Sequence, residues 1–125
     1  MIKNEIVVIG SSNTDMVIKT DKLPVPGETI LGGNFFMNAG GKGANQAVAA
    51  ARLGGSVTLV AKTGEDVFGR QAIDLFKGEG IDTSFVFTDT LHPSGVALIT
   101  VNENGENCIV VASGANGYLD HLDIQ

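Results

Sequence analysis

The amino-acid sequence predicts an α/β fold with a mostly parallel central sheet and small antiparallel strands outside it. Two continuous apolar, β-branched runs, at residues 6–9 and 57–61, alternate with helical patterns at 44–53 and 68–76. The order strand, helix, strand, helix is typical of βαβ units, in which the strands run parallel. Short extended runs between clusters of Gly and Pro indicate the additional antiparallel strands.

The first predicted strand leads directly into a candidate site. Residues 6–9 read Ile-Val-Val-Ile and are closed by Gly10. A run without polar residues suits a strand that is buried on both faces of a parallel sheet. The polar segment 11–15 is predicted to be the loop after that strand, and ligands of open α/β sheets bind beyond the carboxyl ends of the strands. Asn and Asp are also common in ordinary turns, so both interpretations of this loop stay open.

Two further regions are predicted to form small strands outside the main sheet. Residues 16–18 and 28–31 are extended runs separated by a Pro-Val-Pro-Gly segment. Residues 95–101 and 107–112 flank a polar segment that contains an Asn-Gly pair. Asn-Gly between two extended runs is a strong signal for a β-hairpin, so we expect a second antiparallel piece there.

Glycines mark the ends of the predicted helices. The alanine-rich run 44–53 begins behind Gly-Gly-Lys-Gly and is followed by two glycines, as expected for a helix with a glycine C-cap. The second helix, at 68–76, also ends near a glycine. Residues 118–125 begin a third, amphipathic helical pattern, which stops without a cap or a breaker. We therefore expect residues 1–125 to be the N-terminal part of one longer domain.

Composition and charge exclude several classes of protein. The 125 residues, 43% of them hydrophobic, suffice for one core. No run approaches the ~18 apolar residues of a membrane span, and the N-terminus lacks the pattern of a secretion signal, so we expect a cytoplasmic protein. The net charge is −6 with scattered basic residues, so neither nucleic acid nor an anionic membrane is an expected partner. A single cysteine and two distant histidines exclude an intrachain disulfide and a structural zinc site, and no metal ligands are expected here.

The glycine-rich segment before the first helix matches neither of two familiar phosphate motifs. A Walker A loop needs Ser or Thr after its lysine, but Lys42 is followed by Gly43. The dinucleotide fingerprint needs a third glycine at the position that holds Gln46. Two interpretations remain: a turn that brings the backbone close to a ligand, with Lys42 and Asn45 in the first helical turn, or a helix start whose glycines only permit a sharp bend.

Four short motifs together resemble the ribokinase, or PfkB, family of carbohydrate kinases. They read Gly-Gly-Lys-Gly-Ala-Asn-Gln-Ala at 40–47, Ser-Asn-Thr-Asp at 12–15, Pro-Gly-Glu-Thr at 26–29 and Ser-Gly-Ala-Asn at 113–116. The resemblance implies a three-layer α/β fold with a central, mostly parallel sheet and a small antiparallel β lid. The lid strands would lie within 16–37 and 95–112.

The resemblance also implies a sugar site and an activity. The residues that would bind the sugar are Asn13, Thr14, Asp15, Gly41, Lys42, Gly43, Ala44 and Asn45, with Ala97, Ile99 and Val111 closing over it from the lid. A carboxylate accepts two hydroxyl hydrogen bonds, and an amide both donates and accepts, so such a set can hold a polyol in one orientation. The implied reaction is transfer of the ATP γ-phosphoryl group to the O5 hydroxyl of D-ribose. The alternatives are a kinase for deoxyribose or another sugar or nucleoside, or a non-catalytic sugar-binding fragment.

The rest of the machinery that the resemblance implies would follow Gln125. This covers the catalytic base, the anion hole, and the sites for ATP, Mg²⁺ and a monovalent cation such as K⁺. No catalytic residue is therefore expected among residues 1–125, and this chain alone is expected to be inactive. Lids of this family often pair across a two-fold axis, so the expected assembly is a homodimer through the lid.

Other residues have simpler expected roles. Cys108 is expected to be a small buried hydrophobic residue on a hairpin strand rather than a nucleophile. Phe35 and Phe36 are expected to pack in the lid or at a dimer contact. Asp66 is expected to lie in a solvated acidic loop, and His92 in a loop before Pro93.

Overall fold

A computed structural model of the protein describes residues 4–125. Along the chain its elements are β1 (Glu5–Ile9), β2 (Asn13–Lys19), β3 (Asn34–Gly40), α1 (Lys42–Arg52), β4 (Ser56–Gly64), α2 (Val67–Gly78), β5 (Val86–Asp89), β6 (Gly95–Val101), β7 (Asn107–Ala112), a 3-10 helix (Gly114–Tyr118) and α3 (His121–Ile124). Strands β1, β4 and β5 form one parallel sheet in the order β1-β4-β5. The predicted α/β fold with a parallel sheet is confirmed.

Helices α1 and α2 cover one face of this parallel sheet. The core there contains Val8, Ala44, Ala47, Val57, Leu59, Ala61, Phe76, Ile81 and Val86. On β1, Val8 is 9% exposed, whereas its neighbours Val7 and Ile9 are 64% and 53% exposed. The expectation that this strand is buried on both faces is therefore wrong for the described residues. Both long helices lie on the Val8 side, and successive side chains of a strand point to opposite faces.

The second sheet has four strands in the order β3-β2-β6-β7, and we call it the lid. Its outer pairs, β2 with β3 and β6 with β7, are antiparallel, and the second pair is the predicted hairpin. Its central pair, β2 with β6, is parallel. A parallel pair needs a long crossover connection, and here the chain from β2 to β6 passes through β3, α1, β4, α2 and β5. The extra sheet is thus confirmed, with a mixed rather than purely antiparallel centre.

One of the small strands predicted outside the main sheet, at residues 28–31, is not formed. Residues 28–31 form no strand, and β2 pairs instead with β3, from Asn13 opposite Gly40 to Lys19 opposite Asn34. Positive φ angles at Gly27 (82°) and Gly32 (92°) bend the backbone on both sides of 28–31. β3, in contrast, offers seven consecutive residues to the seven of β2.

Glycine also determines where α1 ends. Gly54 has φ 95°, and its N–H donates to Ala51 O at 3.0 Å, while the N–H of Gly55 donates to Ala50 O at 3.0 Å. This is a Schellman motif, so the predicted glycine C-cap is confirmed. The predicted third helix begins only at His121, because the Asp120 side chain accepts from the first backbone N–H groups and forms a capping box with Asp123.

Two remaining expectations concern exposure. Cys108 is exposed, so the prediction that it is buried is wrong; β7 is an outer strand whose residues are all exposed. Phe35 and Phe36 lie on β3 and are 59% and 37% exposed, with the ammonium of Lys19 5.7 Å from the centre of the Phe36 ring.

Within residues 4–125, the helices are all too short or too polar to cross a membrane.

Candidate functional site

The candidate site lies where the end of β1, the start of β2 and the start of α1 meet. Ser11 O, between the two strands, accepts a hydrogen bond from Ala44 N in the first turn of α1 at 2.9 Å. A Cβ atom on Gly43 would lie 2.7 Å from the backbone of Gly10, closer than van der Waals contact allows. The glycine at 43 therefore lets the helix start rest directly on the backbone that follows β1.

Gly41 makes the turn into this helix. Its φ is 97°, and it is the N-cap of α1 without a side-chain hydrogen bond. A Cβ atom at this position would lie 2.6 Å from Ser11 O and 3.0 Å from Asn13 N. The glycines thus permit a sharp bend and also bring Asn13 against the helix start. That this turn also brings the backbone close to a ligand stays a prediction.

Asn13, Thr14 and Asp15 belong to β2 and not to a loop, which corrects the prediction for residues 11–15. β2 lies between β3 and β6, with Asp15 opposite Asn38 on one side and Ala97 on the other. Because both neighbouring strands hydrogen-bond to it, the backbone of these residues is rigid. A rigid strand positions side chains more exactly than a loop does.

Asp15 carries the most unusual environment of the candidate residues. Its carboxylate stands against Gly40, where a Cβ atom would lie 2.6 Å from the Asp15 Cγ atom. The side chain is half-buried, and burial raises the pKa of this carboxyl above the usual range. No hydrogen bond from the described residues 4–125 offsets that effect. An ionised, partly desolvated carboxylate without a partner is a strong acceptor for donors on a ligand.

Asn13 is held by a residue for which the sequence indicated no role. Asn116, in the 3-10 helix, donates from Nδ2 to Asn13 Oδ1 at 2.8 Å and to Ser12 O at 3.1 Å. Asn116 Oδ1 accepts from Ser12 N at 2.9 Å. Gly95 leaves the space for this contact, since a Cβ atom there would overlap both Asn116 Nδ2 and Asn13 Oδ1. The only available signal was that Asn116 ends the fourth motif.

The lid residues of the predicted site fall on the face of Asp15. Ala97 is in register with Asp15 on one side and with Val111 on the other, and Ile99 lies two residues along β6. Residues in register point to the same side of a sheet, and so do residues two apart. Ala97 is 5% exposed and Val111 is 54% exposed. The structure therefore aligns Asp15, Ala97 and Val111 in one row, with Ile99 beside it.

The remaining predicted residues divide into three groups. Lys42 and Asn45 are exposed in the first turn of α1, next to Gly41. Ala44 is 2% exposed and belongs to the core, so only its backbone is close to the site. Thr14 points to the opposite face of β2 from Asp15, because side chains alternate along a strand. There it lines a cleft between the lid and α2.

Asp66 has a structural place instead of the solvated one expected. It is the N-cap of α2, where it accepts from Gly69 N at 2.9 Å, and it accepts from Ser94 N at 2.9 Å and Ser94 Oγ at 2.7 Å. Burial by itself would raise the pKa of Asp66, but these hydrogen bonds lower it overall.

His92 lies in a loop, as predicted, and its ring stacks on that of Tyr118, with 3.5 Å between the ring centres. In residues 4–125, three or more His, Cys, Asp or Glu side chains nowhere converge as metal ligands would.

Comparisons with known proteins identify the family of the chain. Residues 3–124 match the family model described as pfkB family carbohydrate kinase. The chain is 46% identical to ribokinase from Mus musculus, over 96% of this chain and 37% of that protein. It is 42% identical to deoxyribokinase from Salmonella typhi, over 96% of this chain and 39% of that protein.

A solved structure gives the same result for the fold. The structure of Arabidopsis thaliana ribokinase complexed with ribose and ATP superposes with a TM-score of 0.82 at 35% identity, covering 93% of this chain and 38% of that one. The chain thus spans about two fifths of the length of the curated relatives that it matches. Because the family model covers nearly all of its residues, the chain belongs to the pfkB family of carbohydrate kinases.

Proposed function

We propose that the site around Asp15 binds the hydroxyl groups of D-ribose in an ATP-dependent kinase that phosphorylates the O5 hydroxyl. The observation that carries this proposal is the half-buried Asp15 carboxylate without a hydrogen-bond partner in residues 4–125. Neighbouring hydroxyl groups of a sugar are donors that can satisfy both of its oxygens at once. An apolar or anionic ligand would leave that carboxylate unpaired or repelled.

The surroundings of Asp15 support a small polyol. Asn13 stands two residues before it on the same face of β2, and Gly41 brings the start of α1 against Asn13. Lys42 and Asn45 add an ammonium and an amide at the helix start. Ala97, Ile99 and Val111 form an apolar row on the lid, suited to the carbon face of a sugar ring. We assign all eleven predicted residues to the sugar site, where Thr14, Gly41, Gly43 and Ala44 contribute by positioning the backbone and the other seven through their side chains.

The phosphoryl-transfer half of the reaction is assigned to parts of the protein outside residues 1–125. The Arabidopsis ribokinase, which carries ribose and ATP, is about two and a half times as long as the segment it shares with this chain. The described residues offer no carboxylate cluster suited to Mg²⁺, so no step through that ion is derived from them. ATP, Mg²⁺ and possible activation by K⁺ therefore belong to the proposal for the whole protein, as does a cytoplasmic location.

One observation favours 2-deoxy-D-ribose as a second candidate substrate. The deoxyribokinase of Salmonella typhi is 42% identical, close to the 46% of the mouse ribokinase. The two sugars differ in one hydroxyl group. A site that hydrogen-bonds that hydroxyl rejects the deoxy sugar, because its own polar groups are left unpaired.

Titration of the isotope-labelled chain with each sugar, followed by NMR, tests the proposal. We expect D-ribose to shift the amide signals of residues 13–15 and 41–45, and 1-butanol at the same concentration to leave them unchanged. Stronger binding of 2-deoxy-D-ribose would favour the second candidate. The proposed site would be contradicted if the shifts were confined to other parts of the chain. It would also be contradicted if no signal shifted up to about 100 mM sugar, an order-of-magnitude limit for detecting millimolar affinity.

We also propose that two lids associate in a homodimer. One lid face, which we call the apolar lid face, consists of five exposed residues: Ile18, Phe35, Met37, Leu98 and Val110. Contiguous exposed apolar side chains of this kind mark association surfaces. Val110→Glu should shift sedimentation from dimer towards monomer, whereas Thr88→Glu, on β5 of the other sheet, should leave it unchanged. Equal sedimentation of all three proteins would contradict the proposed dimer.

A further inference from the structure

We infer that Asn116 is a positioning residue that fixes which atoms Asn13 presents to the ligand. The inference rests on the proposed sugar site. It concerns a side chain that lies 103 residues away from Asn13 in sequence and that we did not assign to the site. The contact between them is set by the 3-10 helix, from which Asn116 also bonds the backbone of Ser12, the residue before β2.

The orientation of the Asn116 side chain follows from its own partners. Its Oδ1 atom faces Ser12 N, a backbone donor, at 2.9 Å, and its Nδ2 atom faces Ser12 O, a backbone acceptor, at 3.1 Å. An amide turned by 180° would set acceptor against acceptor and donor against donor. The assignment of O and N in Asn116 is therefore unambiguous, because the backbone groups have fixed roles.

The orientation of Asn13 follows from that of Asn116. The Nδ2 atom of Asn116 is a donor, so the atom of Asn13 that lies 2.8 Å away must be the acceptor, Oδ1. The Nδ2 group of Asn13 then points away from Asn116 and has no side-chain partner among residues 4–125. Asn13 therefore presents two N–H donors, while Asp15 on the same strand face presents acceptors only.

This division has a consequence for recognition. A sugar hydroxyl can donate to Asp15 and accept from Asn13 at the same time, which neither a protonated amine nor an ether oxygen can do. Without Asn116, the Asn13 amide is free to rotate and must be ordered when the ligand binds. The contact between Asn116 and Asn13 requires glycine at position 95, since any side chain there would separate the two amides.

A double-mutant cycle with Asn13→Ala and Asn116→Ala tests the inference through D-ribose affinity. We expect Asn116→Ala to weaken binding about fivefold or more, the size of one neutral hydrogen bond. In the Asn13→Ala background, Asn116→Ala should cause no further loss, because it acts through Asn13. Asn104→Ala, in the exposed hairpin turn, is the matched control and should change nothing. Additive losses would overturn the inference and leave Asn116 a purely structural residue.

Two measurements keep the inference testable if a variant fails to fold or the chain fails to bind D-ribose. Asn116→Asp retains the acceptor for Ser12 N and loses the donor to Asn13, so it should weaken binding while the chain stays folded. In the wild-type chain, NMR coupling across the hydrogen bond should connect Asn116 Nδ2 with Asn13 Cγ. That coupling supports the positioning role even if the chain does not bind D-ribose, in which case only the proposed function fails. Its absence, or a coupling from Asn13 Nδ2 to Asn116 Cγ, overturns the inference.

Discussion

Replacement of Asp15 by alanine separates sugar recognition from fold stability. In the proposed complex the carboxylate accepts two hydroxyl hydrogen bonds, and a hydrogen bond to a charged group contributes roughly 1.5–3 kcal/mol. Two bonds at the lower value sum to about 3 kcal/mol, and about 1.4 kcal/mol is tenfold, so D-ribose affinity should fall by about two orders of magnitude. Asp74→Ala, which removes an exposed carboxylate from α2, should leave the affinity unchanged.

The same substitution should not reduce stability. Burial raises the pKa of Asp15, so the ionised form is less favourable in the folded chain than in the unfolded one. Asp15 therefore favours folding most at a pH below its unfolded-state pKa. That contribution is lost as the pH rises through its folded-state pKa. At pH 7 the melting temperature of Asp15→Ala should equal or exceed that of the wild type, as measured by calorimetry.

The pH dependence of binding provides a second check on the same residue. Only the ionised carboxylate accepts two donors, so D-ribose affinity should fall as the pH falls through the raised pKa of Asp15. The Asp15→Ala chain should lack this dependence. Wild-type affinity in the variant, or a lower melting temperature with unchanged affinity in the folded fraction, would show that Asp15 is a structural residue and that the reasoning is wrong.

Three further predictions concern the helix start, the chain end and catalysis. Gly43→Ala should destabilise the chain by about 1–3 kcal/mol in urea unfolding, because its Cβ atom would meet the Gly10 backbone, whereas Gly78→Ala, at the end of α2, has open space and should leave stability unchanged or slightly higher. Asp123→Asn should remove the 2.8 Å ion pair with Lys62, which lowers the pKa of Asp123. A carboxyl group with a lowered pKa stabilises the fold at neutral pH, and this stabilisation is lost as the pH falls through the folded-state pKa. Asp123→Asn should therefore lose less stability on acidification than the wild type. Purified chain of these 125 residues should show no ATP-dependent phosphorylation of D-ribose in a coupled assay, and measurable turnover would contradict the assignment of that chemistry to other segments.

Local sequence signals predicted the elements that depend on local contacts. The hairpin was predicted at 95–101 and 107–112, the bounds of β6 and β7, because an Asn-Gly turn determines its own geometry. The glycines around α1 gave its ends within two residues, because they determine where a helix can start and stop. The four motifs likewise sufficed to place the chain in its family.

Contacts between distant residues were not predictable in the same way. The extended run 28–31 has good strand residues but no pairing strand among residues 4–125, and β3 is a strand because β2 pairs with it. The solvent exposure of Asp66 and Cys108 depends on which residues lie next to them in the fold. The local sequence pattern carries no information about those neighbours. A residue's strand propensity measures how well its side chain packs on a half-buried, pleated sheet. Whether such a sheet lies beside it depends on the rest of the fold.

The sequence by itself determined the family, the parallel α/β arrangement and the polar residues of the proposed sugar site. Only the tertiary structure decided how those residues stand relative to one another. It set Asp15 against Gly40 with no hydrogen-bond partner among residues 4–125, aligned it with Ala97 and Val111, and brought Asn116 to Asn13 from 103 residues away. The physical reason is that the direction and burial of a side chain depend on strand register and close packing, and both arise from contacts between segments far apart in the chain.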